Sequence, residues 1–208
     1  MISTTTATGV VMRAICCLLA LTTFTAVSAA DEPRPVPEAP WAFTVYGGAH
    51  VDDRFLRIIS LRSHSGARSS YLLAAALSRR VGRIGESLRF EVEGQLARHA
   101  GDQRHWESNA AIVARWTRFP WDHYVDTSIA IGEGLSYASR RPPLERVNDG
   151  NPRLLNYLMA EVEFGPPVDP RWRMLVRVHH RSPVFSLFDE ASGSNFVTFG
   201  VRHRLQAR

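Results

Sequence analysis

Hydrophobic and polar residues alternate along much of the chain after residue 40, most regularly in the segment Leu88–Leu96. The apolar positions share one parity: Leu88, Phe90, Val92 and Leu96. The polar positions share the other: Arg89, Glu91, Glu93 and Gln95. Successive side chains of a β-strand point to opposite faces, so the segment predicts a strand with one apolar and one charged face.

Seven more segments show the same pattern less regularly, and together they predict an all-β, eight-stranded antiparallel transmembrane β-barrel. They are Trp41–His50, Ser69–Ser78, Trp106–Arg118, Tyr124–Ala138, Leu154–Phe164, Trp172–Ser182 and Asn195–Leu205. The connections between them tend to be shorter on one side and longer on the other, which is typical of outer-membrane barrels whose N-terminus is periplasmic. A soluble β-sandwich would also alternate, but it gives no reason for this sorting of loops.

The N-terminal segment predicts export. Arg13 precedes an apolar run that ends at a small-residue cleavage pattern, Val27-Ser28-Ala29. We therefore interpret residues 1–29 as a signal peptide, 30–40 as a periplasmic lead-in and 41–208 as the barrel. Removal of the signal would also remove both cysteines, so a disulfide framework or a cysteine metal site is not expected.

The net charge is +5, and all 25 basic residues other than histidine are arginine. Guanidinium groups bind phosphate in a bidentate way, so a phosphate-bearing partner such as lipid A is one interpretation, and a GC-rich genome is the other. The arginines are scattered and not clustered, which argues against nucleic acid. The inward-facing Arg and Glu residues are expected to form ion pairs inside the barrel, with His179 paired to Glu161 or Glu163.

The candidate chemistry lies at the outer end of the seventh predicted strand. His180 and Ser182 are two residues apart and share a face with Val176 and Val178, which predicts that both face the lipid. A histidine beside a hydroxyl can accept its proton and make the oxygen a nucleophile towards an ester. The orienting acid would be Glu190 or Asp189 in the next loop, or Glu133 on the fifth strand.

The segment His180-Arg181-Ser182 and the run from Ser194 to Leu205 resemble the C-terminus of the PagL-type lipid A 3-O-deacylases. The resemblance covers about the last thirty residues and implies an outer-membrane barrel that removes a 3-hydroxyacyl chain from lipid A. It implies His180 and Ser182 as catalytic residues, completed by a glutamate before the last strand, for which Glu190 is our first choice. It implies no metal and no organic cofactor.

Two positions depart from that family's pattern. Pro183 stands where asparagine is common, and the ungapped alignment puts Ser194 at the place of the glutamate, with Asn195 beside it as a candidate oxyanion donor. These departures favour an alternative function, a non-enzymatic outer-membrane barrel with a structural or surface-interaction role. A soluble periplasmic lipid carrier is a third hypothesis.

Expected partners are lipid A or lipopolysaccharide and membrane lipid, and homodimerisation is left open.

Overall fold

The computed structural model of the protein describes residues 40–145, 153–169, 171–182 and 193–205. These residues form eight strands that close into one barrel. The strands are β1 (Trp41–Val51), β2 (Ala67–Ile84), β3 (Leu88–Gly101), β4 (Trp106–Trp116), β5 (Asp126–Ala138), β6 (Leu154–Gly165), β7 (Trp172–Ser182) and β8 (Ser194–Arg204). The predicted signal peptide and nearly all of the lead-in lie outside the described residues.

Each strand pairs in antiparallel fashion with the next one in the chain, and β8 pairs with β1 through contacts such as Val45↔Val201. The predicted barrel is therefore confirmed. The bounds predicted for β7 are those observed, whereas β2 extends six residues past the predicted end, Ser78, to Ile84. The β2–β3 hairpin turns at Gly85, whose φ of 59° is a left-handed conformation that glycine adopts without steric cost.

The two faces of the wall differ as the alternation predicts. Val92 and Leu96 point outward and are exposed, whereas Glu91 and Glu93 point into the barrel and are at most 5% exposed. A barrel that spans a lipid bilayer requires this arrangement, with apolar side chains on its outer surface and polar side chains in its interior.

Ion pairs fill the barrel interior. Arg115 contacts Glu91, Glu161 and Glu163, and Arg177 contacts Glu93 and Glu161. The predicted interior network is thus present, but the predicted partner of His179 is wrong. Its Nε2 lies 2.8 Å from an Oε atom of Glu107 on β4, because the inclined strands bring the outer end of β4 opposite the outer end of β7.

Exposed aromatic side chains mark both rims of the apolar surface, as interfacial girdles do. One set belongs to the end with the short turns: Trp41, Trp116, Trp121, Tyr124 and Trp172. The other belongs to the opposite end: Tyr71, Trp106 and Tyr137. We call this second end, where β1 and β7 finish and β2 and β8 begin, the outer end.

The first connection, expected to be a loop, contains a short helix, α1 (Phe55–Ile59). Phe55 and Ile58 are buried against Leu158 of β6 and Val178 of β7. Both partners belong to the outward-facing rows of their strands, so α1 packs on the outside of the wall near its outer end. Within the described ranges, no helix is long and apolar enough to cross a membrane.

Candidate functional site

His180 and Ser182 lie at the outer end of β7, in the outward row that begins with the exposed Trp172 and Met174. The intervening Arg181 points inward and is fully buried. The shared outward direction of His180 and Ser182 is therefore as the alternation predicts. Their exposure is not, since His180 is 9% and Ser182 3% exposed.

Asn195 of β8 fixes the orientation of the His180 ring. The two residues are cross-strand partners, and His180 Nδ1 lies 2.7 Å from Asn195 Oδ1. Asn195 Nδ2 in turn donates to the backbone oxygen of Asp53 at 2.6 Å. The amide nitrogen is thereby directed away from His180, so Nδ1 must carry the proton and donate it to Oδ1. Nε2 then keeps its lone pair, which is the tautomer that a general base needs.

Ser182 is the residue that a nucleophilic role would require. Its Oγ is buried and has no hydrogen-bond partner within the described part of the chain, His180 included. Burying a hydroxyl without a partner is unfavourable, so this oxygen is a group that a ligand or a small movement of the imidazole would satisfy.

Helix α1 and the residue before β8 cover the imidazole. The Phe55 ring centre lies 5.2 Å from that of His180, with the two planes inclined by 39°. At Gly193, a Cβ atom would lie 3.2 Å from His180 Cε1, so a side chain there would press on the ring. The site predicted to face lipid directly is therefore partly enclosed by protein, and α1, which the sequence did not predict, is part of that cover.

Of the three acids considered for orienting His180, Glu133 lies within the described residues, and it does not contact the ring. Asp189 and Glu190 lie outside the described residues. Glu133 is exposed on β5 and is separated from His180 by Leu158 in the cross-strand row, so their strands are about 10 Å apart. Glu133 is therefore wrong as the orienting acid. Asn195, expected as an oxyanion donor, makes that contact instead.

A second polar cluster lies on the other side of the same wall, inside the barrel. Glu107 accepts hydrogen bonds from Ser136 at 3.0 Å and contacts His179 and His99 at 2.8 and 2.7 Å. His105 stacks on His99 at 4.1 Å, with the ring planes 10° apart. This cluster was not predicted, because its members come from four different strands and one turn.

His99, His105 and Glu107 are the group in the described ranges whose donor atoms could gather round a metal ion, all lying within 4.8 Å of one another. Because the His99 and His105 rings are stacked, the lone pairs of their nitrogen atoms lie in two nearly parallel planes. A single ion would need the two rings to tilt towards each other, and Glu107 to release at least one of its hydrogen bonds.

Glu145 is a further residue that the sequence did not single out. It lies in the β5–β6 connection, yet it is 7% exposed and pairs with Arg181 at 2.6 Å. Ser194 also donates to it, at 2.8 Å. Burial raises the pKa of Glu145 to about 7 despite the opposing charge of Arg181. Arg181 and Ser194 are the chain neighbours of His180 and Asn195, so this contact ties β7 to β8 directly behind the candidate site.

The fold and its apolar wall define the class of the protein, an eight-stranded outer-membrane β-barrel. A solved structure agrees. The outer membrane enzyme PagL superposes with a TM-score of 0.54 at 13% identity, over 79% of this chain and 99% of that one. Neisserial surface protein A gives a TM-score of 0.47 at 13% identity, over 79% and 96%. OprG of Pseudomonas aeruginosa gives 0.38 at 9% identity, over 82% and 98%.

At 13% identity the likeness to PagL establishes the fold and nothing finer. No family model matches the sequence, and no curated protein matches it.

Proposed function

We propose that the protein is an outer-membrane carboxylic ester hydrolase that removes a 3-hydroxyacyl chain from lipid A, with Ser182 as nucleophile and His180 as general base. The observation that carries the proposal is the chain of contacts from the Asp53 backbone through Asn195 to His180 Nδ1. With the proton on Nδ1, the lone pair of Nε2 is the one available to a general base. PagL, described as an outer membrane enzyme, has the same fold.

In the proposed reaction, Ser182 Oγ attacks the ester carbonyl carbon while His180 Nε2 accepts the hydroxyl proton. The tetrahedral intermediate collapses, the bond to the sugar oxygen breaks, and His180 returns the proton to that oxygen. The acyl group is then bonded to Ser182. Water activated by His180 hydrolyses this second ester and releases the 3-hydroxy fatty acid.

Asn195 would act as a positioning residue. An amide oxygen can hold the imidazole in the required tautomer, as asparagine does in Cys-His-Asn proteases, but it carries no charge to stabilise the imidazolium. We therefore expect slower turnover than an aspartate or glutamate at this place would give.

Substrate access requires the cover to move. The ester must reach within hydrogen-bonding distance of Ser182, which is 3% exposed, and α1 lies over the neighbouring His180. Lateral entry from the outer leaflet would displace Phe55 from the imidazole. The helix is short and contacts the wall through two buried residues, so a modest movement is sufficient.

The test is the acyl pattern of lipid A, measured by mass spectrometry, in cells that express the protein at verified surface density. Wild type should remove one 3-hydroxyacyl chain, and Ser182→Ala and His180→Ala should remove none. Thr198→Val on β8, which lies inside the barrel, is a control of similar size and should behave as wild type. An unchanged lipid A with the inserted wild-type protein would reject the proposal.

The second candidate is a non-enzymatic barrel with a structural or surface-interaction role. The burial of His180 and Ser182 and the missing hydrogen bond between them favour it. Under this alternative, Ser182→Ala would leave both the lipid A and any surface phenotype unchanged.

A further inference from the structure

A basic cavity of about 440 Å³ lies at the outer end, between the β3–β4 turn and the end of β5. Along the wall it is separated from Ser182 by β5 and β6. Its lining residues are Arg98, Arg104, His105, Trp106, Ser139 and Arg140.

Among the described residues, the lining of this cavity contains three guanidinium groups and no carboxylate. Arg98 lies over the Trp106 ring at 5.3 Å, and the two are cross-strand partners, so the side chain is held at the wall. Arg104 and Arg140 are exposed. In the parts of the chain that the structure describes, none of the three forms an ion pair with a carboxylate. Their charges are therefore available to an anion.

The remaining wall of the cavity is pre-organised by hydrogen bonds. Trp106 N–H donates to Ser139 Oγ at 2.9 Å, and Ser139 N–H donates to the Trp106 carbonyl at 2.8 Å. The Ser139 hydroxyl oxygen thus accepts a hydrogen bond within the protein, and the hydroxyl proton is available for donation to a ligand.

His105 gives an independent indication that something polar binds here. The residue is 2% exposed, it lines the cavity, and both of its ring nitrogens are without a hydrogen-bond partner among the described residues. Burial lowers the pKa of His105 to about 3, so the ring is neutral and still offers one N–H donor. A buried donor without a partner beside a basic cavity is what a bound anion would satisfy.

We propose that this cavity binds the phosphate group of a phosphorylated lipid in the outer leaflet. Charge-assisted bonds from guanidinium to phosphate are among the strongest hydrogen bonds in proteins, and arginine matches phosphate in a bidentate way. The exposed Trp106 places the cavity in the outer aromatic girdle, at the depth of lipid headgroups. The site is independent of ester hydrolysis, because it shares no residue with His180, Ser182 or Asn195.

The test uses the folded protein in detergent with Ser182→Ala as background, so that hydrolysis cannot alter the ligand. Bis-phosphorylated lipid A, the same lipid after removal of both phosphates, and inorganic phosphate are titrated separately, and the bound fraction is measured by native mass spectrometry. The variant carries Arg98→Gln, Arg104→Gln and Arg140→Gln. The control carries Arg57→Gln, Arg62→Gln and Arg68→Gln, an equal charge change in the first outer connection and at the start of β2.

The phosphorylated lipid should bind the cavity variant at least about tenfold more weakly than the parent, whereas the control should change by no more than about twofold. Inorganic phosphate should compete only at much higher concentration. Equal binding of lipid with and without phosphates, or an unchanged affinity in the cavity variant, would overturn the proposal. Inorganic phosphate binding as tightly as the lipid would overturn the assignment to a headgroup. Heat-dependent mobility on gels verifies that each variant forms the barrel.

Discussion

His179 and His180 are consecutive in the chain but belong to separate hydrogen-bond systems on opposite sides of the barrel wall. His179 Nε2 lies 2.8 Å from Glu107 in the interior, and His180 Nδ1 lies 2.7 Å from Asn195 on the outward face. The alternation of β7 alone produces this division, since neighbouring residues of a strand face opposite sides. Substitutions at these two positions should therefore affect different properties, stability for the first and the candidate chemistry for the second.

Asn195→Ala should slow ester hydrolysis by about ten- to a hundredfold, because the imidazole loses the contact that fixes its tautomer. Asn195→Asp should be faster than the alanine variant, since a carboxylate accepts the same hydrogen bond and stabilises the imidazolium, although it cannot donate to the Asp53 carbonyl as the amide does. Release of 3-hydroxy fatty acid from lipid A micelles measures both rates. Asn109→Ala, at an interior asparagine, serves as the control. An alanine variant as fast as wild type would remove Asn195 from the proposed mechanism.

Phe55→Ala should expose the His180 imidazole, because the Phe55 ring lies over it at 5.2 Å. Carbethoxylation by diethyl pyrocarbonate, followed by peptide mass spectrometry, gives the rate at each histidine. We expect His180 to react several-fold faster in the variant. His179 is an internal control within the same peptide and should stay unreactive, since it is fully buried in the lumen. An unchanged His180 rate would mean that α1 is not its cover.

Glu107→Ala should destabilise the barrel by about 3–5 kcal/mol, because it leaves buried polar groups without an acceptor. The groups affected are His99, His179 and Ser136. Urea unfolding in micelles measures the change. Glu86→Ala removes an acid that pairs with Arg118 at the exposed surface and should cost less than about 1 kcal/mol. Similar losses for the two variants would contradict the assignment of Glu107 to a tightly coupled interior cluster.

Glu145 should make stability fall as the pH rises from about 4.5, its ordinary pKa, to about 7, its pKa in the folded protein. In this window the folded state binds more protons than the unfolded state, so rising pH favours unfolding. Above the window the contribution is constant.

Glu145→Gln lacks this titration, so its stability relative to wild type should rise with pH by about 1.4 kcal/mol per unit of pKa difference. Urea unfolding of both proteins, across the window and one unit beyond each side, provides the comparison. A difference that does not vary with pH, or that varies in the opposite sense, would show that burial does not control this carboxyl.

The sequence predicts the barrel well because alternation is a local signal. β7 was located without error, since the apolar Trp172, Met174 and Val176 share one face, opposite the face that carries Arg173 and Arg177. The predicted end of β2, Ser78, is too early, because Arg79, Arg80 and Gly82 were interpreted as part of a turn. In the structure they continue the hairpin with β3 through an irregularity between Arg80 and Gly82.

The candidate site depends on contacts that local patterns do not contain. Helix α1 has five residues, too few to display a helical period, so its position over His180 could not be predicted. Asn195 became the partner of His180 through the β7–β8 register, which parity alone does not fix. Glu107 and His179 are 72 positions apart, and their contact follows from the closure of the sheet.

The ion pairs of the interior connect strands that are distant in the chain, as Arg177 of β7 and Glu93 of β3 do across 84 positions. A sheet that entered the bilayer before closing would hold such guanidinium and carboxylate groups unpaired in hydrocarbon, where each is very unfavourable. Assembly therefore has to bring the first and last strands together while the chain inserts. Each of these charges makes a partly inserted sheet unfavourable. The barrel is therefore expected to form either completely or not at all.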